Sequence, residues 1–316
     1  MKNFKFIPVL AIAALLSACG VNKSASIKAP KFAKQGAEVS YTEFMNKLNE
    51  AFDASEINQK DAKLSDRLIT SKQSQTQKEV VKNGKKQVSK QEQVITFESK
   101  YQFDYDNCIG KAEDVFKASS ASEDAHGDKT TEDSEKETSQ LQFGEGEHEN
   151  QFYEYELENK YYRQVATLAE DETKEHLFGT LIKETIYDSI SMAMGILPSS
   201  EAEAESYKFY VNGKVFTYTD GYDESGDMKD DDDNVFGTYT AKGDLKVQID
   251  LTDGAQKLKV AMDVTETGKY TAAYANYGEG DESKTEVKMY VDNSVQSKKV
   301  SLKAIDASEF VPNPII

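Results

Sequence analysis

The sequence predicts an α+β domain: mainly an antiparallel β meander, a curved one-sided sheet or half-barrel, covered by two amphipathic helices. Three observations carry this. Apolar and polar residues alternate over much of the chain from Ile95 on, the period of a half-buried strand. Asn-Gly and Asp-Gly pairs at Asn83-Gly84, Asn212-Gly213 and Asp253-Gly254 separate those runs, and such pairs favour tight hairpins. Only two stretches, near Tyr41 and Leu177, repeat apolar residues at helical spacing.

The first element is a leader. Lys2 and Lys5 precede an apolar run from Phe6 to Leu16, the charged-then-apolar order of a secretory signal over residues 1–18. A spanning helix needs roughly 20 apolar residues, and this run ends sooner. Residues 19–38 read as a polar tether, with Val21 to Gly36 left unstructured. Residues 39–316 are then one β-rich domain. In it Tyr41, Phe44, Met45, Leu48 and Phe52 fall along one helical stripe, with Ser40 and Glu43 placed as a capping box.

Strands follow. Ile95, Phe97, Ser99, Tyr101, Phe103 and Tyr105 alternate with polar residues after the Asn83-Gly84 turn. Residues 118–150 hold almost no apolar side chain and are expected to be an acidic disordered insertion. From Gln151, Tyr153, Tyr155, Leu157, Tyr161 and Val165 suggest one strand face. Thr173 to Leu197 is the second helix, with Leu177, Phe178, Leu181, Ile182, Ile186, Ile190 and Met194 as its stripe and Pro198 as its stop. Strands flank Asn212-Gly213 and Asp253-Gly254, and Tyr270 to Tyr277, Val287 to Val291 and Val300 to Ile305 continue the meander.

Composition narrows the function. The formal charge is -18, and loss of Lys2 and Lys5 with the leader makes it -20. With two arginines, Arg67 and Arg163, and lysines interleaved with acids, no nucleic-acid partner is expected. Histidine occurs as His126, His148 and His176, and no nucleophile, phosphate-loop or zinc-protease motif is present, so neither catalysis nor a cofactor is expected. Cys108 lies near Asp104 and Asp106, which favours an inert thiol. Aspartates crowd the loop around Asp227, Asp230, Asp231, Asp232 and Asp233, a composition that hard calcium ions accept, although the spacing is not that of an EF-hand.

Leu16-Ser17-Ala18-Cys19, placed directly behind the apolar run, resembles the lipobox of bacterial lipoproteins. The resemblance implies acylation of Cys19, export, and anchoring to the outer side of a bacterial membrane. The order helix, strands, helix, long meander behind it is similar to the half-barrel of the lipoprotein-carrier family and the mycobacterial lipoproteins that carry lipids. That implies a binding module for an apolar or lipid-like ligand, held between Tyr101, Phe103, Tyr153 and Tyr155 on the sheet and Leu177, Leu181, Ile186, Ile190 and Met194 on the helix. The other reading left open is a structural or protein-interaction lipoprotein without a pocket.

Overall fold

The computed structural model describes residues 28–54, 65–124, 127–252 and 256–314, without the side chains of residues 189–194. The leader, Cys19 and the Asp253-Gly254 turn lie outside the described residues. The strands are β1 (Ala37–Val39), β2 (Arg67–Asn83), β3 (Lys86–Asp104), β4 (Ile109–Asp124), β5 (Gly127–Phe143), β6 (Gln151–Glu156) and β7 (Tyr161–Thr167). After a second helix come β8 (Tyr207–Asn212), β9 (Val215–Lys229), β10 (Val235–Asp250), β11 (Gln256–Tyr270), β12 (Asp281–Ser297) and β13 (Val311–Pro312). The helices are α1 (Tyr41–Asp53) and α2 (Lys174–Ile196).

All thirteen strands form one open sheet in the order β1-β8-β9-β10-β11-β12-β2-β3-β4-β5-β6-β7-β13. Every pair is antiparallel except β13 on β7. Two consecutive meanders, β2 to β7 and β8 to β12, are joined edge to edge by the full-length pairing of β12 with β2. Because directly opposed residues share a face, the registers assign each side chain to a side of the sheet.

The sheet has two unlike ends. At one, here the base, apolar side chains gather in clusters. Phe44 and Leu48 of α1 are fully buried with Phe209, Phe216, Tyr218, Val247, Ile249 and Leu258 of the second meander. Phe178, Ile182 and Ile186 of α2 are buried with Ile69, Phe103, Phe152 and Val295, mostly from the first. The spacing of four along α2 puts its three residues on one stripe. Ser40 caps α1 by accepting the Glu43 N–H at 3.2 Å, as the capping pattern requires. Each fully buried Phe, Leu or Ile contributes roughly 1.5–3 kcal/mol.

On the opposite face of the base, two extended segments are strapped to the sheet. Ala33 and the Gln248 amide exchange hydrogen bonds at 2.7 and 3.2 Å, so Ala33, within the stretch read as a polar tether, is docked there. The second strap is the C-terminal stretch. Asp66 accepts from Val300 N–H at 3.0 Å, Asp104 from Leu302 at 2.9 Å and Gln142 from Ile305 at 2.9 Å. Val300 to Ile305 is therefore no strand. Buried polar side chains, rather than a ladder, hold it.

At the other end, here the tip, four hairpins turn together, at Asn83/Lys86, Asp124/Gly127, Lys229/Val235 and Tyr270/Asp281. Two of the turn expectations shift by a residue. Asn83 and Asn212 end their strands, and Gly84 and Gly213 take the first turn position with φ +58° and +61°. Glycine first is the type II′ arrangement. Asn83 is freed to donate its amide to Asp281 at 2.8 Å. Tyr270 to Tyr277 is likewise not a strand beyond Tyr270. It is a turn in which Phe236 stacks on Tyr274 at 3.9 Å and Tyr270 on Tyr277 at 4.1 Å.

The largest correction concerns residues 118–150. Residues 118–124 continue β4 and residues 127–143 form β5, paired without a register break from Gly110↔Leu141 to Asp124↔Gly127. Burial was the wrong criterion for this tract. A hairpin laid against β3 gains backbone hydrogen bonds whatever its side chains, and Gly127, the first residue of β5, takes a φ of +107° that suits glycine.

Candidate functional site

The residues assigned to a ligand separate onto two faces. Tyr101 and Phe103 share a face with Ile69, their neighbour across β2, and pack in the α2 cluster with Leu177, Leu181 and Ile186. Phe178 fills the centre, its ring 5.8 Å from Phe103 and 6.0 Å from Phe152. Tyr153 and Tyr155 oppose Gln142 and Gln140, so they point to the other side. There they pack with Phe310 of the C-terminal strap, Tyr155 at 5.1 Å. The side chains of Ile190 and Met194 lie outside the described residues.

Alternation decides this split. Phe152 and Tyr153 are adjacent in sequence, and adjacent strand residues point apart. The signal available beforehand was the short β6–β7 hairpin at Leu157 to Lys160, which breaks the supposed single strand in two.

The concave places are polar. One, of about 230 Å³, lies between Asp114, Glu137, Ser139, Glu154 and Arg163. Another of about 230 Å³ lies beside Cys108, Gln142, Phe143, Lys174 and Glu175. The Cys108 thiol is buried and its pKa is pushed up to about 11, chiefly by burial and then by Glu175. It donates weakly to Tyr105 O at 3.7 Å. A thiol held protonated in this way is a poor nucleophile.

The aspartates of the tip do not converge. Asp227 sits on β9 opposite Thr238. Asp230 accepts from Asp232 N–H at 3.0 Å, Asn234 N–H at 2.9 Å and the Asn234 amide at 3.1 Å. These bonds make Asp230 the organiser of its own turn, and Lys229 pairs with Asp233 at 3.2 Å. Among the described residues no group of three or more His, Cys, Asp or Glu is arranged to hold a metal. Of the histidines, His148 is exposed beside Gln151 and His176 is an exposed residue of the first turn of α2, while His126 lies outside the described residues.

What the acidic tracts do share is position. β5 pairs with β6 only over Ser139 to Phe143, and β9 with β8 only over Val215 to Asp220. Among the described residues, 127–138 of β5 and 221–229 of β9 therefore have a strand on one side only. They are the two outer edges of the tip. Both are dense in charge, which is how natural sheets discourage promiscuous pairing.

No family model matches the chain, and no curated protein does. Among solved structures, the crystal structure of Pseudomonas aeruginosa OccK7 (OpdD) is similar at 7% identity and a TM-score of 0.17, over 73% of this chain and 98% of that one.

Proposed function

We propose that this protein is a membrane-anchored, extracytoplasmic lipoprotein that acts without catalysis, displaying its sheet tip to a protein partner. The observation that carries the reading is the contrast in filling. Phe178, Ile182, Ile186, Phe44 and Leu48 are at most 1% exposed. The space a carrier would keep for an acyl chain is thus occupied by side chains of the protein itself. In this reading α1 and α2 close the apolar face of a half-barrel-like sheet, and the lipid belongs to Cys19 alone.

The anchor supports the same orientation. The docked segment reaches the base, where Asn212 donates to Lys34 O at 3.2 Å. Cys19 precedes Lys28 by nine residues, a reach of about 30 Å at most. Strand β2, from Arg67 to Asn83, spans about 54 Å at the usual rise. The base is held near the bilayer and the tip away from it.

Two measurements test this. Cys19→Ala is expected to move the protein from the membrane to the soluble fraction and abolish acyl labelling. Native mass spectrometry of the chain from Cys19 on, made without lipid, is expected to show an empty protein. Stoichiometric co-purified lipid would overturn the reading in favour of a carrier.

A further inference from the structure

The free edge of β5 carries a pattern of its own. Thr138 N–H donates to the Glu158 carboxylate at 2.9 Å and Thr138 O accepts from Leu157 N–H at 2.9 Å, so both its peptide groups point away from β4. Backbone direction alternates along a strand, and the β4–β5 register is unbroken. The peptide groups of Asp128, Thr130, Glu132, Ser134 and Lys136 therefore also point outward, with no strand among the described residues to receive them. Their midpoint is Glu132.

We infer that this edge is a docking surface for the same edge of a second copy, antiparallel, with the two-fold axis at Glu132. Symmetry requires self-complementarity, and only registers that oppose outward residues to outward residues make a ladder. The register centred on Glu132 uses all five and spares Thr138, which is already satisfied. In it Asp128 faces the partner's Lys136, and Lys129 faces the partner's Glu135, each contact occurring twice. Thr130 faces the partner's Ser134. The single like-charged contact is Glu132 against its own copy. Moving the axis to Asp133 would lose the Asp128 to Lys136 pair and demand the Thr138 groups that β6 has taken.

The shape permits the contact. β6, β7 and β13 flank only the base, which leaves a notch beside residues 127–138. An inverted copy places its tip in that notch. The two bases then lie on opposite sides, so copies anchored as proposed above would pair between facing bilayers; that last step rests on the anchored reading.

Sedimentation equilibrium on the chain from Cys19 on, with Cys19→Ala so that no lipid drives association, tests the pairing. A dimer is expected in a concentration series up to about 1 mM. Glu132→Thr is expected to tighten it, and Lys129→Glu to weaken it about tenfold or more through two like-charged contacts. Lys129→Glu with Glu135→Lys is expected to restore it, which no intrachain contact explains across six residues of one strand. Ser134→Pro removes an outward N–H and is expected to abolish dimers in every background. A monomer at about 1 mM for both the starting chain and Glu132→Thr, association that survives Ser134→Pro, or failure of the double swap would each overturn the pairing. Vesicles of phosphatidylethanolamine and phosphatidylglycerol bearing the acylated chain are expected to cluster. A solution dimer without clustering would refute the facing-bilayer step and leave the edge contact standing.

Discussion

The base and the tip of this sheet are made from the same strands and held by different forces. At the base helices α1 and α2 contribute to apolar clusters on one face of the sheet, and two extended straps are hydrogen-bonded to the other. At the tip residues 127–137 of β5 are exposed along their whole length, and order rests on backbone ladders and cross-strand pairs such as Lys242 with Asp223 at 2.8 Å. The lesson is that a strand which buries almost nothing can still be specified, provided its neighbours are long and its register is continuous.

The comparison breaks first on aromatic residues. Phe178→Ala at the base is expected to cost about 3–5 kcal/mol in denaturant unfolding, because the ring is fully buried. Phe97→Ala in the distal half of β3, where the ring is 36% exposed, is expected to cost about 1 kcal/mol or less. Equal losses would show that the tip has a core of its own.

The next contrast lies within β5. Glu135→Pro removes an N–H directed at β4 and is expected to cost about 3 kcal/mol. Ser134→Pro, one residue away, removes one directed at solvent and is expected to cost about 0.5 kcal/mol or less in the monomer. Reversal of that order would place the free edge on the wrong residues.

A smaller effect of similar kind tests the C-terminal strap. Asp66→Ala orphans the Val300 and Tyr105 N–H groups and is expected to cost about 2 kcal/mol. Burial alone would raise the Asp66 carboxyl, but hydrogen bonds from Val300, Tyr105 and Lys299 outweigh it and hold its pKa below the ordinary 3.8. A folded-state pKa below the unfolded one gives stability that is complete above about pH 4 and is lost as the pH falls through the folded value. Asp66→Ala is therefore expected to flatten the acid limb of a stability profile, and an unchanged limb would remove Asp66 from the account.

Much of the fold was legible from local pattern. The stripe from Tyr41 to Phe52 and that from Leu177 to Ile186 mark the two helices, because burying one face requires the 3.6 period. The alternation Leu245, Val247, Ile249 against Leu258, Val260, Met262 marks β10 and β11. Residues 127–143 were not legible, since their order comes from β4 and from no property of their own. The site was less legible still. Tyr153 and Tyr155 read as companions of Phe103, yet alternation with Phe152 on β6 puts them on the opposite face, under Phe310 from the far end of the chain. The acidic runs at residues 118–150 and 227–233 looked like disorder and a calcium loop, and, among the described residues, 127–138 and 221–229, which overlap them, turn out to be the two outer edges of the tip.

The edge pairing, and the contrast between base and tip behind it, stand on β5 being an ordered strand with one open side among the described residues. Amide hydrogen exchange at high dilution, resolved by residue, tests it most directly. Slow exchange is expected at Lys129, Thr131, Asp133, Glu135 and Glu137, and fast exchange at Asp128, Thr130, Glu132, Ser134 and Lys136, with the fast set becoming protected as concentration rises. Uniformly fast exchange across residues 127–138 would restore the disordered insertion and contradict the account.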